Sequence, residues 1–226
     1  ASIPMLKLED LAEKPEPLEM TETDKAGVPV MKHSVGSGIA FLRAHFLASD
    51  LTPEELSKLA MLCQVLGSMA TKKHSRSALP LEIKNILGRV SFVPSVLPGS
   101  DPLHGRVMLS VSAACLAELG EKAAELLAEL LTETLWEDAD LLRDVMQQAS
   151  VAAKMTLAGN GINYAITRAL SYQTAHGAAG EAIGGVTFLQ WLDKTLNAGE
   201  EGLKALLADM AGLAKRVGRR GRGGGG

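Results

Sequence analysis

The order of residue patterns constrains this chain more than any single residue does. Strand patterns lie on either side of two helical ones, and an almost unbroken helical half follows. Two strand patterns come first, over 28–33 and 39–48, separated by the turn Gly36-Ser37-Gly38. In the second, Ile39, Phe41, Arg43, His45 and Leu47 alternate with Ala40, Leu42, Ala44 and Phe46. Such mixed alternation is expected where both faces of a strand are partly covered. Thr52 is a strong N-cap, Pro53 suits the first helical position, and Glu55 completes a capping box. The helix that they open is expected to run to residue 69, with Leu56, Leu59, Cys63 and Leu66 on one stripe. A polar loop over 72–77 leads to a short helix over 81–87, ended by Gly88. Strand patterns at 90–97 and 106–116 flank Pro98-Gly99-Ser100-Asp101-Pro102, which predicts a hairpin.

From there the apolar spacing is helical, over 119–135, 141–157, 164–172, 188–196 and 203–217. Asp138 or Asp140 opens the second of these helices, and Gly159-Asn160-Gly161 closes it. The expected fold is α+β: a mainly antiparallel sheet of four or more strands, covered by helices on one face and followed by a helical C-terminal half. Residues 1–26, rich in Pro and charge, read as an extended arm with Leu6, Leu8 and Leu11 as anchors. Residues 27–217 form the domain. Residues 218–226 are a flexible Gly/Arg tail, whose three arginines without interleaved aromatics make a poor RNA-binding arm.

With 46% hydrophobic residues in 226, burying a core is no difficulty, and only 4% aromatics means that Leu, Ala, Val and Met must build it. A net charge of -3 gives no reason to expect nucleic acid or an anionic membrane as partner. No apolar run approaches the roughly 20 residues that a membrane span needs. The opening residues lack the basic-then-apolar layout of a signal peptide, so the expected compartment is the cytoplasm. The chain starts at Ala1 rather than Met, as a piece excised from a longer protein would. Cys63 and Cys115 sit within apolar patterns and read as buried, reduced thiols.

The search for chemistry is mostly negative. A zinc peptidase needs two imidazoles and a carboxylate as ligands plus a glutamate to activate water, written on a helix as H-E-x-x-H or H-x-x-E-H. His33, His45, His74, His104 and His176 show no i,i+4 pairing and no glutamate at the required offset. His33 and His45, on neighbouring strands, are the one pair that could approach each other, and a structural role suits them better than a metal. No G-x-S-x-G elbow and no phosphate-binding glycine loop is present. Glu118, Glu121, Glu125, Glu129 and Glu133 follow helical spacing and read as the solvated face of a helix.

One segment is distinctive: Gly161-x-x-Tyr164, then Arg168-Ala169-x-Ser171, then Glu181-x-x-Gly184-Gly185, with Trp191-Leu192 further on. It resembles the signature of the domain that follows the catalytic half in presequence proteases, a branch of the pitrilysin-type zinc peptidases. The opening Ile3-Pro4-x-Leu6-x-x-x-Asp10 is similar to the segment leading into that domain. Two features depart from the family's pattern: Trp191 stands where Phe is usual, and no further strand follows 203–217 to return to the sheet. The resemblance implies a non-catalytic unit of a zinc-dependent peptidase that degrades short unstructured peptides, including cleaved targeting sequences, in a closed chamber. No cofactor is expected on this chain; the zinc would belong to the catalytic part of the parent protein. The implied partners are the remaining domains of the same polypeptide and unstructured peptides. An open sheet edge also makes a homodimer of the isolated chain an expectation. Gly161, Tyr164, Arg168, Glu181, Gly184 and Gly185 are the family-matching positions, read as structural, with Arg168 bonding Glu181 across a loop; contact with peptide at the chamber wall is their other reading. The competing function is a stand-alone peptide-binding or scaffold protein of the same fold, without peptidase activity.

Overall fold

The computed structural model describes residues 19–25, 27–34 and 36–220, with the backbone alone for 219 and 220. The opening motif, most of the expected arm and the last six residues of the expected tail lie outside them. Strand β1 (Thr21–Lys25) pairs antiparallel with β2 (Val28–Lys32). Gly27, at φ 80°, sits in the turn, and its N–H donates to Asp24 Oδ1 at 2.8 Å. β1 falls within the segment assigned to the arm. Its sequence, Thr-Glu-Thr-Asp-Lys, carries no apolar alternation that could have announced a strand.

The main sheet has three strands in the order β3-β5-β4, all antiparallel: β3 (Ile39–Leu47), β4 (Arg89–Pro98) and β5 (Gly105–Leu116). This corrects the expectation of four or more strands. The pattern at 28–33 joins no larger sheet, because β2 is paired with β1 instead. β4 and β5 form the expected hairpin, and Leu47 lies opposite Met108 at the far side of β5.

β5 shows why the helices gather on one face. Val107, Leu109, Val111, Ala113 and Cys115 are buried, while every residue between them is partly exposed. Helix α1 (Pro53–Val65) belongs to the core on that side, with Leu59, Met61, Leu62 and Val65 fully enclosed. Its capping box forms as the sequence requires: Glu55 N–H donates to Thr52 Oγ1 and Thr52 N–H to Glu55 Oε2. The Thr52 backbone bond, with Arg216 alongside, holds the Glu55 carboxyl below the usual glutamate range. The helix ends before the expected residue 69, because Gly67 turns the chain at φ 83°. Helix α2 (Leu79–Ile86) and helix α3 (Gly120–Thr132), which follows a single 3-10 turn, close a smaller cluster around Leu79, Leu87, Ala113, Cys115 and Leu130.

Five more helices complete the described chain: α4 (Ala139–Gly159), α5 (Gly161–Ser171), α6 (Ala175–Gly184), α7 (Val186–Asn197) and α8 (Gly199–Arg220). Asp138, not Asp140, caps α4 by accepting from Leu141 N–H at 2.8 Å. Both cysteines are free and buried, and burial pushes the Cys63 thiol up to about 12. No described helix is long and apolar enough to cross a membrane.

Candidate functional site

The distinctive segment folds into a single joint between α5, α6 and α7. Glu181, on α6, is 4% exposed, and its Oε1 takes three bonds. Arg168 Nη1 donates at 2.8 Å, Thr187 N–H at 3.0 Å and the Thr187 hydroxyl at 3.2 Å. Arg168 also bridges to Thr187 Oγ1 at 2.8 Å, and its guanidinium lies 5.7 Å from the Tyr172 ring centre. Gly185, the N-cap of α7, has no side chain with which to bond the exposed N–H groups. The Glu181 carboxylate does so from the preceding helix, placing a negative charge where the helix dipole favours it.

This geometry explains the second glycine of the Glu-x-x-Gly-Gly motif. A Cβ on Gly185 would stand 2.1 Å from Glu181 Oε2, inside the space that the carboxylate fills. Gly184 and Gly161 are different, because a Cβ on either meets nothing within 4 Å. Tyr164 ties α5 to α4 through its hydroxyl, which donates to the Ala153 carbonyl at 3.4 Å. Four of the six family-matching residues (Arg168, Glu181, Gly184 and Gly185) therefore meet at one helix junction. Tyr164 and Gly161 stand apart at the α4–α5 corner.

Sequence reasoning missed two members of this joint. Thr187 supplies two of the bonds to Glu181, and its place just after Gly184-Gly185 marked it as a residue at a helix start. Gly177 lets α5 and α6 touch: a Cβ there would lie 2.4 Å from the Leu170 carbonyl.

The remaining polar clusters are structural. Glu129, expected on a solvated face, is 4% exposed; it accepts from the Thr71 hydroxyl and meets His74 Nδ1 at 2.7 Å. The loop at 71–74 folds back over α3 and covers it. His33 and His45 do not meet: His33 Nδ1 contacts the Glu19 carbonyl, while His45 lies on β3 against Ser110. Among the described residues no group of three His, Cys, Asp or Glu could hold a metal ion, so these side chains do not fit a zinc site. An open depression of about 510 Å³ is lined in part by Glu137, Asp138, Asp140, Glu200 and Lys204. Three of its carboxylates are taken, Asp138 by Arg76, Asp140 by Arg143 and Glu200 by Lys204.

The surface best placed to meet a ligand is the face of the sheet that the helices leave bare. Register sets its rows across β3, β5 and β4: Phe41, Ala114 and Arg89; Arg43, Ser112 and Ser91; His45, Ser110 and Val93; Leu47, Met108 and Ser95. Leu116 extends the face at one end, and Arg106 with Leu97 at the other. Phe41 is 68% exposed, and Leu47, Val93, Leu97 and Leu116 are about half exposed. At the centre, Ser95 donates to Ser110 at 2.6 Å and Ser110 meets His45 Nδ1 at 2.9 Å. Among the described residues no carboxylate bonds that serine–histidine pair, so it lacks the orienting member of a nucleophilic triad.

The arrangement is thus a helix-backed α+β unit with a bare sheet face, a rigid interhelical joint and no catalytic constellation among its described residues. The family described as peptidase-associated, in the M-16 class of peptidases (subfamily C), matches residues 1–194, and the chain belongs to that family. Two curated relatives are similar to it along 92% of its length: Protein HypA of Clostridium perfringens, 26% identical over 210 residues, and Presequence protease 1, chloroplastic/mitochondrial, of Arabidopsis thaliana, 23% identical over 216 residues. The chain spans only 21% and 20% of those two proteins. A crystal structure of a conserved protein from Enterococcus faecalis V583 shares the fold, with a TM-score of 0.53 at 11% identity over 76% of this chain and 41% of that one.

Proposed function

We propose that this chain is a non-catalytic unit of a larger zinc-dependent peptidase and forms part of the wall that encloses short unstructured peptides. The observation that carries the reading is the amount of apolar surface left uncovered on two sides. One side is the bare sheet face. The other is α4 and α5, where Val151 and Met155, then Ile162, Ile166 and Leu170, recur at four-residue spacing and are 43–71% exposed. Surface of that kind marks an interaction site, and the relatives have about four-fifths of their length outside the matched region to supply the cover. The helical side would dock the rest of the polypeptide, and the sheet face would line the enclosure. Enclosure would hold an extended peptide near a metal borne elsewhere and exclude folded proteins by size. The joint at Arg168, Glu181 and Thr187 would keep α5 and α7 in fixed relation, so that both surfaces keep their shape.

The reading frame around Ala1 tests this. An H-x-x-E-H helix with a downstream glutamate, encoded several hundred residues earlier, is the expected finding. A frame that starts close to Ala1 would remove the catalytic half and favour a stand-alone peptide-binding protein.

A further inference from the structure

The bare sheet face has a charge that the rest of the chain does not share. Across the whole sequence, acidic residues outnumber Lys and Arg, 26 to 23. The three strands of the sheet, however, carry no Asp or Glu on either face. Their charged side chains are Arg43, Arg89 and Arg106, and register puts all three on the bare face. Each is exposed, and none has an ion-pair partner among the described residues, whereas Arg76, Arg143, Arg168 and Arg216 all have one.

The neutral groups between these arginines are also donors. Ser95 donates to Ser110, and the Ser110 hydroxyl lies against His45 Nδ1, where either atom can be the donor. His45 Nε2 has no partner among the described residues. Arg43 and Arg89 flank the Ser112 and Ala114 rows, and Arg106 closes the other end. Eight residues of β5 separate the Ala114 row from Arg106, about 27 Å at the usual rise of a strand. An extended segment of about eight residues therefore spans the cationic ends while passing over Ser91, Ser110, Met108 and Val93.

We infer that this face accepts an extended peptide segment rich in carboxylates and aliphatic side chains, and that it disfavours basic ones. The inference rests on the enclosing-wall reading for the occupant being a peptide; its sign of charge comes from the strands alone. Targeting sequences of the Arg-rich, acid-poor kind would meet like charge at both ends of the face. Single-stranded nucleic acid is a poorer fit, because Phe41 is the one Phe, Tyr or Trp that the three strands place on the face, and stacking needs several such rings.

The test is fluorescence anisotropy with the full 226-residue chain and three labelled probes. These are an extended Glu/Val peptide, the same peptide with Lys replacing Glu, and an oligothymidine of similar length. The Glu peptide is expected to bind at least about tenfold more tightly than the Lys peptide, and salt should weaken it. Replacing all three exposed arginines (Arg43→Glu, Arg89→Glu and Arg106→Glu) should reverse the preference. Lys122→Glu on α3 should leave it unchanged, and circular dichroism checks that each variant is folded. Equal binding of both peptides, tighter binding of the oligonucleotide, no binding of any probe, or indifference to the triple substitution would each overturn the inference. None of these outcomes touches the enclosing-wall reading, which the upstream reading frame decides.

Discussion

Gly184 and Gly185 are neighbours in sequence, yet the same substitution should move stability in opposite directions. A Cβ on Gly185 would come within 2.1 Å of Glu181 Oε2 and 2.6 Å of its carboxyl carbon. The carboxylate must then leave the N-terminus of α7 and its bond to Arg168. Losing a helix cap costs about 1 kcal/mol, and losing a charge-assisted bond from a buried carboxylate costs about 1.5–3 kcal/mol. Gly185→Ala should therefore destabilise the chain by about 2.5–4 kcal/mol. Its backbone, at φ -88°, is open to any residue, so strain adds nothing. Gly184→Ala meets open space at the last residue of α6 and should stabilise by about 0.4–1 kcal/mol, through lower entropy of the unfolded chain. Urea unfolding followed by far-UV circular dichroism measures both. In a Glu181→Ala background the Gly185→Ala cost should fall to about 1 kcal/mol or less, leaving only the contact with Glu181 Cα at 2.9 Å. An equal cost in both backgrounds, or a Gly185→Ala variant as stable as the parent chain, would refute the argument.

Three further outcomes follow from the same structure. Gly177→Ala should cost about 3 kcal/mol in the urea assay, because its Cβ would strike the Leu170 backbone at 2.4 Å, where no side chain can yield. Burial pushes the Glu129 carboxyl up, but bonds from Thr71 and His74, with Lys73 nearby, outweigh it and hold the group below the usual glutamate range. Its contribution is then complete above an unfolded-state value of about 4.3 and is lost as pH falls through the lower folded value, so Glu129→Gln should flatten the acid limb of unfolding free energy against pH. Cys63 and Cys115 should resist thiol-specific labelling in the folded chain and react fully in denaturant; fast labelling of the native chain would contradict their burial.

The parts of the fold that were legible in the sequence are those where local chemistry and tertiary role agree. Thr52, Pro53 and Glu55 announced α1 because a capping box is a local device, and Pro98-Gly99 announced the hairpin for the same reason. The Arg168–Glu181 pair could be anticipated from two opposite charges in one short signature. Helix α6 was missed altogether. Its sequence, Ala-His-Gly-Ala-Ala-Gly-Glu-Ala-Ile-Gly, has three glycines in ten residues and little intrinsic preference for a helix. What makes it helical is its setting: Thr174 caps it, Gly177 admits α5, and Ser57 of α1 donates to the Ala182 carbonyl at 2.7 Å. Glu129 was misplaced because periodicity gives a face to a residue but cannot foresee a loop folding over that face. The bare sheet face was hidden for a related reason. Alternation in β3 looked mixed because Ile39, Phe41 and Leu47 are apolar and yet point away from the helices. Apolar residues on both sides of a strand read as burial on both sides, and here one side stays exposed among the described residues.

The central claim is that this chain shapes a peptidase without performing its chemistry. Hydrolysis of a short unstructured peptide tests it most directly, comparing the isolated chain with added zinc, the whole polypeptide encoded by its reading frame, and that polypeptide with 19–220 deleted. The account predicts no cleavage by the isolated chain, cleavage by the whole, and loss of cleavage on deletion. Zinc-dependent hydrolysis by the isolated chain, or full activity without it, would contradict the account.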